Sequence, residues 1–276
     1  MTEFAARVDE FFDEYFARQP VDATGAGQHA YDGLWPDVSA AGRDDRVAFL
    51  ERWRATLETF GDEVLDVDER VDRDLLLGVL AAQLFGETEL FEEAWSPMAW
   101  VYLIGQGFFS LVAREFAPLA DRLASLASRA ERLPAVLDGA AEALVGHGGR
   151  PVDRFHTATA LEQWPGMIGI LDEAIAAGDA VAGDDPAVAA VLPRLRAARA
   201  VAAEALDRCE RHLRDDLLPV ATGEGRLGPE LFAAKMSHTM QDPAMTPDRI
   251  RERAEQAFDA VRAEMIRIAR EIAPVW

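Results

Sequence analysis

Apolar side chains recur at three- and four-residue steps along almost the whole of this chain, and no stretch alternates apolar and polar residues with a period of two. Such a chain can bury its side chains only by packing helix against helix. In the first segment Phe4, Val8, Phe11 and Tyr15 share a face, with Phe12 and Phe16 beside it. Ser39 has the chemistry of a helix cap, and Val47, Leu50, Trp53, Leu57 and Phe60 follow it in phase until Gly61. A third helix is predicted over 67–85, faced by Val71, Leu75, Val79 and Ala82. Leu119, Leu123, Leu126, Ala130 and Leu133 form the stripe of a helix packed nearly antiparallel to a neighbour.

Proline and glycine punctuate this pattern. Leu133-Pro134 is expected to start a new helix, and the Gly146-His147-Gly148-Gly149 run to stop it. Residues 151–178 read as helical with a kink at Pro165. Asp185-Pro186 and Thr246-Pro247 each pair a capping side chain with a first-turn proline, opening two long helices. The second is faced by Ile250, Ala254, Phe258, Val261, Met265, Ile268 and Ile272. Residues 20–39, rich in Pro, Gly and Asp, read as a long ordered loop that buries Tyr31, Leu34 and Trp35. No repeat and no Ser- or Gly-rich linker divides the 276 residues, so one all-α domain, a multi-helix array over 1–276, is the expectation.

Composition narrows the function classes. A net charge of -21 disfavours nucleic acid and anionic lipid surfaces, both of which need a basic face. Residues 94–113 carry no charge and approach the length of a membrane span. Ser96-Pro97 as a helix start would shorten that helix, and Gly105-Gln106-Gly107 interrupts it, so a buried core helix is the expectation. The acidic first segment does not have the form of a secretory signal. The one cysteine, Cys209, permits no intrachain disulfide and fits a reducing, cytoplasmic compartment.

Candidate chemistry is sparse. Gly223-x-Gly225-x-x-Gly228 and Gly25-x-Gly27-x-x-Ala30 match a dinucleotide fingerprint by letter, but neither follows a strand. None of His29, His147, His156, His212 and His238 lies four residues from another, as a helical zinc motif requires. Cys209 and His212 make at most two ligands. No nucleophile elbow occurs, and Asp44-Asp45, Asp184-Asp185 and Asp215-Asp216 are read as caps or solvated faces. The segment 23–33 stands apart, because it holds His29, Tyr31 and Asp32 among conformationally demanding glycines. Those three residues are the candidate ligand-binding set. The competing reading makes Gly25 and Asp32-Gly33 turns and has Tyr31 and Trp35 plug a gap between helices.

The succession Pro20, Ala23-Thr24, Gly27, His29, Tyr31-Asp32-Gly33, Pro36-Asp37 and Ser39 resembles the opening of the domain-of-unknown-function 885 family. The likeness continues through Trp95-Ser96-Pro97, residues 121–144, GPELFAAKM from Gly228 and the segment 245–265. That family is similar to helical zinc peptidases of the thimet-oligopeptidase and carboxypeptidase type, whose cleft lies between two helical halves. The resemblance implies that this chain supplies the amino-terminal half. The family's HExxPGHH-like helix and later acidic ligand belong to the carboxy-terminal half, which would begin about where this chain stops, at Trp276. Zinc is thus implied only for that other half, and no catalytic or metal-binding residue carries over to this one. The expected partner is a separately encoded carboxy-terminal half or a second copy of the chain, reached through an apolar face left uncovered. The alternatives are a stand-alone helical interaction module and a small-ligand binder using the 20–39 segment.

Overall fold

The computed structural model describes residues 2–242 and 244–273, and among these the fold is all-α. Trp276, the residue on which the expected boundary falls, lies outside the described residues. Helices α1 (Glu3–Arg18), α3 (Ala40–Glu58) and α4 (Val67–Phe85) enclose an apolar core that includes Phe4, Phe11, Phe49, Trp53 and Leu57. Phe11 stacks on Phe49 and meets Trp53 edge-on, each at 5.6 Å between ring centroids.

The larger core lies among α5 (Pro97–Val112), α6 (Leu119–Ala143), α7 (Arg154–Gln163), α8 (Gly166–Val181) and α9 (Pro186–Arg211). Along α6 the residues Leu123, Leu126, Ala130 and Leu133 are all buried, opposite Leu195, Ala198 and Ala202 of α9. Small residues on both faces let these two helices lie close along most of their length. Helix α10 (Pro229–Met240) closes a third cluster of Phe85, Leu90 and Trp95, and α11 (Pro247–Ile272) follows.

Caps act where the sequence places them. Ser39 accepts from the Gly42 amide at 3.1 Å, Asp185 from Ala187 at 2.9 Å, and Thr246 from Arg249 at 3.3 Å. Pro97 is the first residue of α5, whose charge-free segment is a core helix as expected. No helix among the described residues is long and apolar enough to cross a membrane.

Five expectations need correction. Residues 20–39 are not one loop, because α2 (Pro20–Ala26) and a single turn at His29–Tyr31 occupy the first part. Pro20 serves as a first helical residue, and Gly27 (φ 89°) provides the left-handed ending. Pro134 does not start a helix but sits inside α6. Packing on both flanks outweighs its missing donor, and the Trp35 indole donates to the Arg129 carbonyl at 2.9 Å, one turn earlier. Glycines 105 and 107 do not interrupt α5, since continuous burial at Ile104, Gly107 and Phe108 holds the helix together. Pro165 is a break between α7 and α8 rather than a kink.

The fifth correction concerns which stripes are covered. Val71, Leu75 and Val79 of α4 are exposed, and the buried residues Leu80, Leu84 and Phe85 lie on another face. Every residue of α11 from Arg251 onward is exposed, including Phe258, Val261, Met265, Ile268 and Ile272.

Candidate functional site

The candidate triad of the 20–39 segment falls on a buried polar knot. Asp32 is buried; its Oδ1 accepts from Thr24 Oγ1 at 2.7 Å, and its Oδ2 from His29 Nδ1 at 3.1 Å. Thr24 Oγ1 in turn accepts from Arg129 Nη2 at 2.8 Å. Arg129 is 0% exposed and also donates to the carbonyls of Pro20 (3.2 Å), Leu34 (3.0 Å) and Gly107. Burial lowers its guanidinium to about 10, opposed by the nearby Asp32 charge, so it stays protonated at neutral pH. The imidazole of His29 lies flat on Phe116 with centroids 3.9 Å apart, while Tyr31 is half-buried. Arg129 therefore pins α2, α5, α6 and the 29–35 turn to one another.

A different segment lines the cavities. After α4 the chain makes a π-helical turn at Gly86–Leu90, then Phe91 takes a left-handed conformation (φ 34°, ψ 66°) that an aromatic side chain rarely adopts. The surroundings impose it. The Arg43 guanidinium lies 3.7 Å from the Phe91 ring centroid, and its Nε donates to the Glu87 carbonyl at 2.9 Å. His147 Nε2 donates to the Thr88 carbonyl at 3.2 Å. Unwinding here turns Glu87, Phe91 and Glu93 toward open space instead of continuing α4.

That space has two parts. A cavity of about 480 Å³ lies between α3, α5, α6 and this turn, with Val38, Phe91, Trp100, Leu103 and Ala143 among its walls. A second, of about 290 Å³, runs toward Tyr15, Gln83 and Lys235, and Gln19, Arg46, Glu87 and Glu93 border both. The larger has the size and mixed lining of a small-ligand or side-chain pocket. Burial raises the Glu93 carboxyl above its ordinary range, with Glu87 and Glu92 adding to the effect and Arg46 opposing it. Tyr15 is pushed up by burial and by Asp22, to which its hydroxyl donates at 2.8 Å.

The remaining polar clusters hold the fold together. Ser96 Oγ and His156 Nδ1 share a 2.9 Å hydrogen bond, but Ser96 is only 3% exposed and closed off from any substrate. Asp153 caps α7, accepting from the His156 amide at 2.7 Å, and also accepts from the Gly225 amide. The Gly223 fingerprint is thus a turn paired with Val152–Arg154, and Gly25–Ala30 spans the end of α2. Cys209 is buried and its thiol raised to about 12 by burial and then Asp138, while His212 is engaged with Asp216 at 3.0 Å. Among the described residues no three His, Cys, Asp or Glu side chains gather as metal ligands.

The sequence did not single out Arg43, Arg46, Glu87, Phe91 or Glu93, and His147 came up only as one of five scattered histidines. Charged residues just beyond an amphipathic helix read as solvated surface, and the π turn leaves no periodic mark.

The described residues thus form an all-α array with a mixed cavity and with exposed apolar stripes on α4 and α11. A family model described as "Bacterial protein of unknown function (DUF885)" matches residues 20–275, and the chain belongs to that family. A solved structure described as "a putative lipoprotein of unknown function from Shewanella oneidensis" is similar at 25% identity with a TM-score of 0.79. The match covers 100% of this chain and 49% of that one, so this chain spans about half the length of its structural relative. No curated protein matches the chain.

Proposed function

We propose that this chain forms the non-catalytic, amino-terminal half of a metallopeptidase-like hydrolase, with its cavity face as one wall of the substrate cleft. In this reading a carboxy-terminal half supplies zinc, activated water and the general base. The observation that carries it is α11, a strongly amphipathic helix of 26 residues whose apolar face meets solvent. Phe258, Val261, Met265, Ile268 and Ile272 would each gain about 1.5–3 kcal/mol on full burial. An uncovered stripe of this size points to a partner surface. The exposed Val67, Val71, Leu75 and Val79 of α4 offer a second such surface.

Co-expression with the carboxy-terminal half of a longer family member tests the reading. The two halves should copurify and hydrolyse peptides in a zinc-dependent manner, and the double change Phe258→Ser/Met265→Ser should abolish association while leaving the melting of the chain alone unchanged. Peptide hydrolysis by the chain alone, or no association with any such half, would sink it. Concentration-dependent dimerisation through α11 would favour a stand-alone interaction module instead. Ligand binding by His29, Tyr31 and Asp32 has weaker support, because both Asp32 oxygens accept internal hydrogen bonds. A cytoplasmic location rests on Cys209 and the first segment alone, and cell fractionation tests it.

A further inference from the structure

The larger cavity has an uneven charge inventory. Its two guanidiniums are already engaged. Arg46 grips the Glu87 carboxylate through Nε and Nη2 at 2.7 and 3.2 Å, and its Nη1 reaches the Asp37 carbonyl at 2.6 Å. Arg43 lies over the Phe91 ring and donates through Nε and Nη2 to the Glu87 carbonyl. Two more carboxylates, Glu93 and Glu142, line the same space, and among the described residues neither forms an ion pair. Glu87 is balanced by Arg46, which leaves Glu93 and Glu142 against the guanidinium of Arg43 alone, so carboxylates remain in excess while the walls at Val38, Trp100, Leu103 and Ala143 are apolar.

We propose that this cavity binds a protonated amine carried on an apolar stem, with Glu93 and Glu142 as counter-charges and Trp100 and Leu103 bedding the stem. An anionic ligand would find Arg46 already paired with Glu87 and Arg43 seated on the Phe91 ring, and would face both carboxylates. A neutral apolar ligand would leave Glu93 desolvated beside it, which is costly for a carboxylate without a cation. Burial raises the Glu93 carboxyl, and a bound cation would offset that cost. The left-handed Phe91 supplies the geometry, because it turns Glu92 and Glu93 out of the line of α4.

The amine could belong to a free alkylamine or to a basic side chain of a peptide. Assigning it to a peptide substrate rests on the cleft reading above; binding itself does not.

The test is an NMR titration of the chain alone, read at the Trp100 indole N–H, which donates to the Glu93 carbonyl at 3.0 Å. The probes are hexylammonium, hexanol, hexanoate, and end-blocked Ala-Lys-Ala and Ala-norleucine-Ala. Hexylammonium is expected to bind about tenfold more tightly than hexanol, a preference of about 1.4 kcal/mol. Hexanoate should not bind. Glu93→Gln and Glu142→Gln should each reduce that preference several-fold, and Ala143→Leu should weaken both hexylammonium and hexanol by filling the stem site. A lysine peptide that outbinds its norleucine twin supports a peptide side chain as the ligand; hexylammonium binding alone supports a free amine. Equal binding of hexylammonium and hexanol, no binding of either, or an unchanged preference in the natively folded Glu93→Gln/Glu142→Gln variant would overturn the proposal. Failure of the chain to pair with a carboxy-terminal half would leave this titration unaffected, so the two ideas can fail separately.

Discussion

Replacing Arg129 with methionine keeps most of the side chain's volume and removes the guanidinium donors that join α2, α5, α6 and the 29–35 turn. The carbonyls of Pro20, Leu34 and Gly107 and the Thr24 hydroxyl lose a charged partner in a site that water does not reach. Hydrogen bonds to a charged group contribute about 1.5–3 kcal/mol each. The relief of no longer burying a guanidinium offsets part of the sum. Asp32 then remains as a buried negative charge linked only to Thr24 and His29. Breaking a buried charge arrangement from one side typically costs about 3–5 kcal/mol, and that is the expected loss in urea-induced unfolding at neutral pH, with an unchanged slope. Asp32→Asn in the Arg129→Met background should recover at least about 1 kcal/mol relative to additivity, because it removes the stranded charge. A loss under about 1 kcal/mol for Arg129→Met, or strict additivity with Asp32→Asn, would refute the view that this arginine holds the segment through charge-assisted bonds.

Three further outcomes are expected. Gly107→Ala should destabilise by about 1–3 kcal/mol, because a β-carbon there would overlap the Trp35 ring; an unchanged melting temperature would contradict that packing. Glu93→Gln should stabilise the chain more at pH 7 than at pH 4. The folded state holds the Glu93 proton more tightly than the unfolded chain does, so the wild type loses stability as pH rises above the ordinary carboxyl value, and the amide does not. An equal stability difference at both pH values would rule this out. Cys209 should resist iodoacetamide in the native protein and react fully in denaturant, since burial leaves almost no thiolate; rapid labelling of the folded chain would show the site to be open.

Much of the architecture is local and therefore legible from the residues in order. Side chains at three- and four-residue spacing share a face whatever surrounds the helix, which is why α1, α3, α9 and the stripe of α6 up to Leu133 follow from the sequence. Ser39, Asp185 and Thr246 bond to amides two or three residues away, so their roles need no tertiary information. The family likeness, too, is a property of residue order.

Tertiary structure decided the rest, for identifiable reasons. Periodicity shows that a face is apolar but not whether a neighbour covers it, so α4 and α11 read as core helices while their stripes stand in solvent. Pro134 breaks an isolated helix, yet packing on α9 and the Trp35 contact carry α6 through it. In a line of letters Arg129 looks like any surface arginine between two alanine-rich turns, and only partners about a hundred residues away reveal it as the buried pin. The cavity lined by Glu87, Phe91 and Glu93 exists because Arg43, more than forty positions earlier, stabilises an unwound turn that local preference would not select.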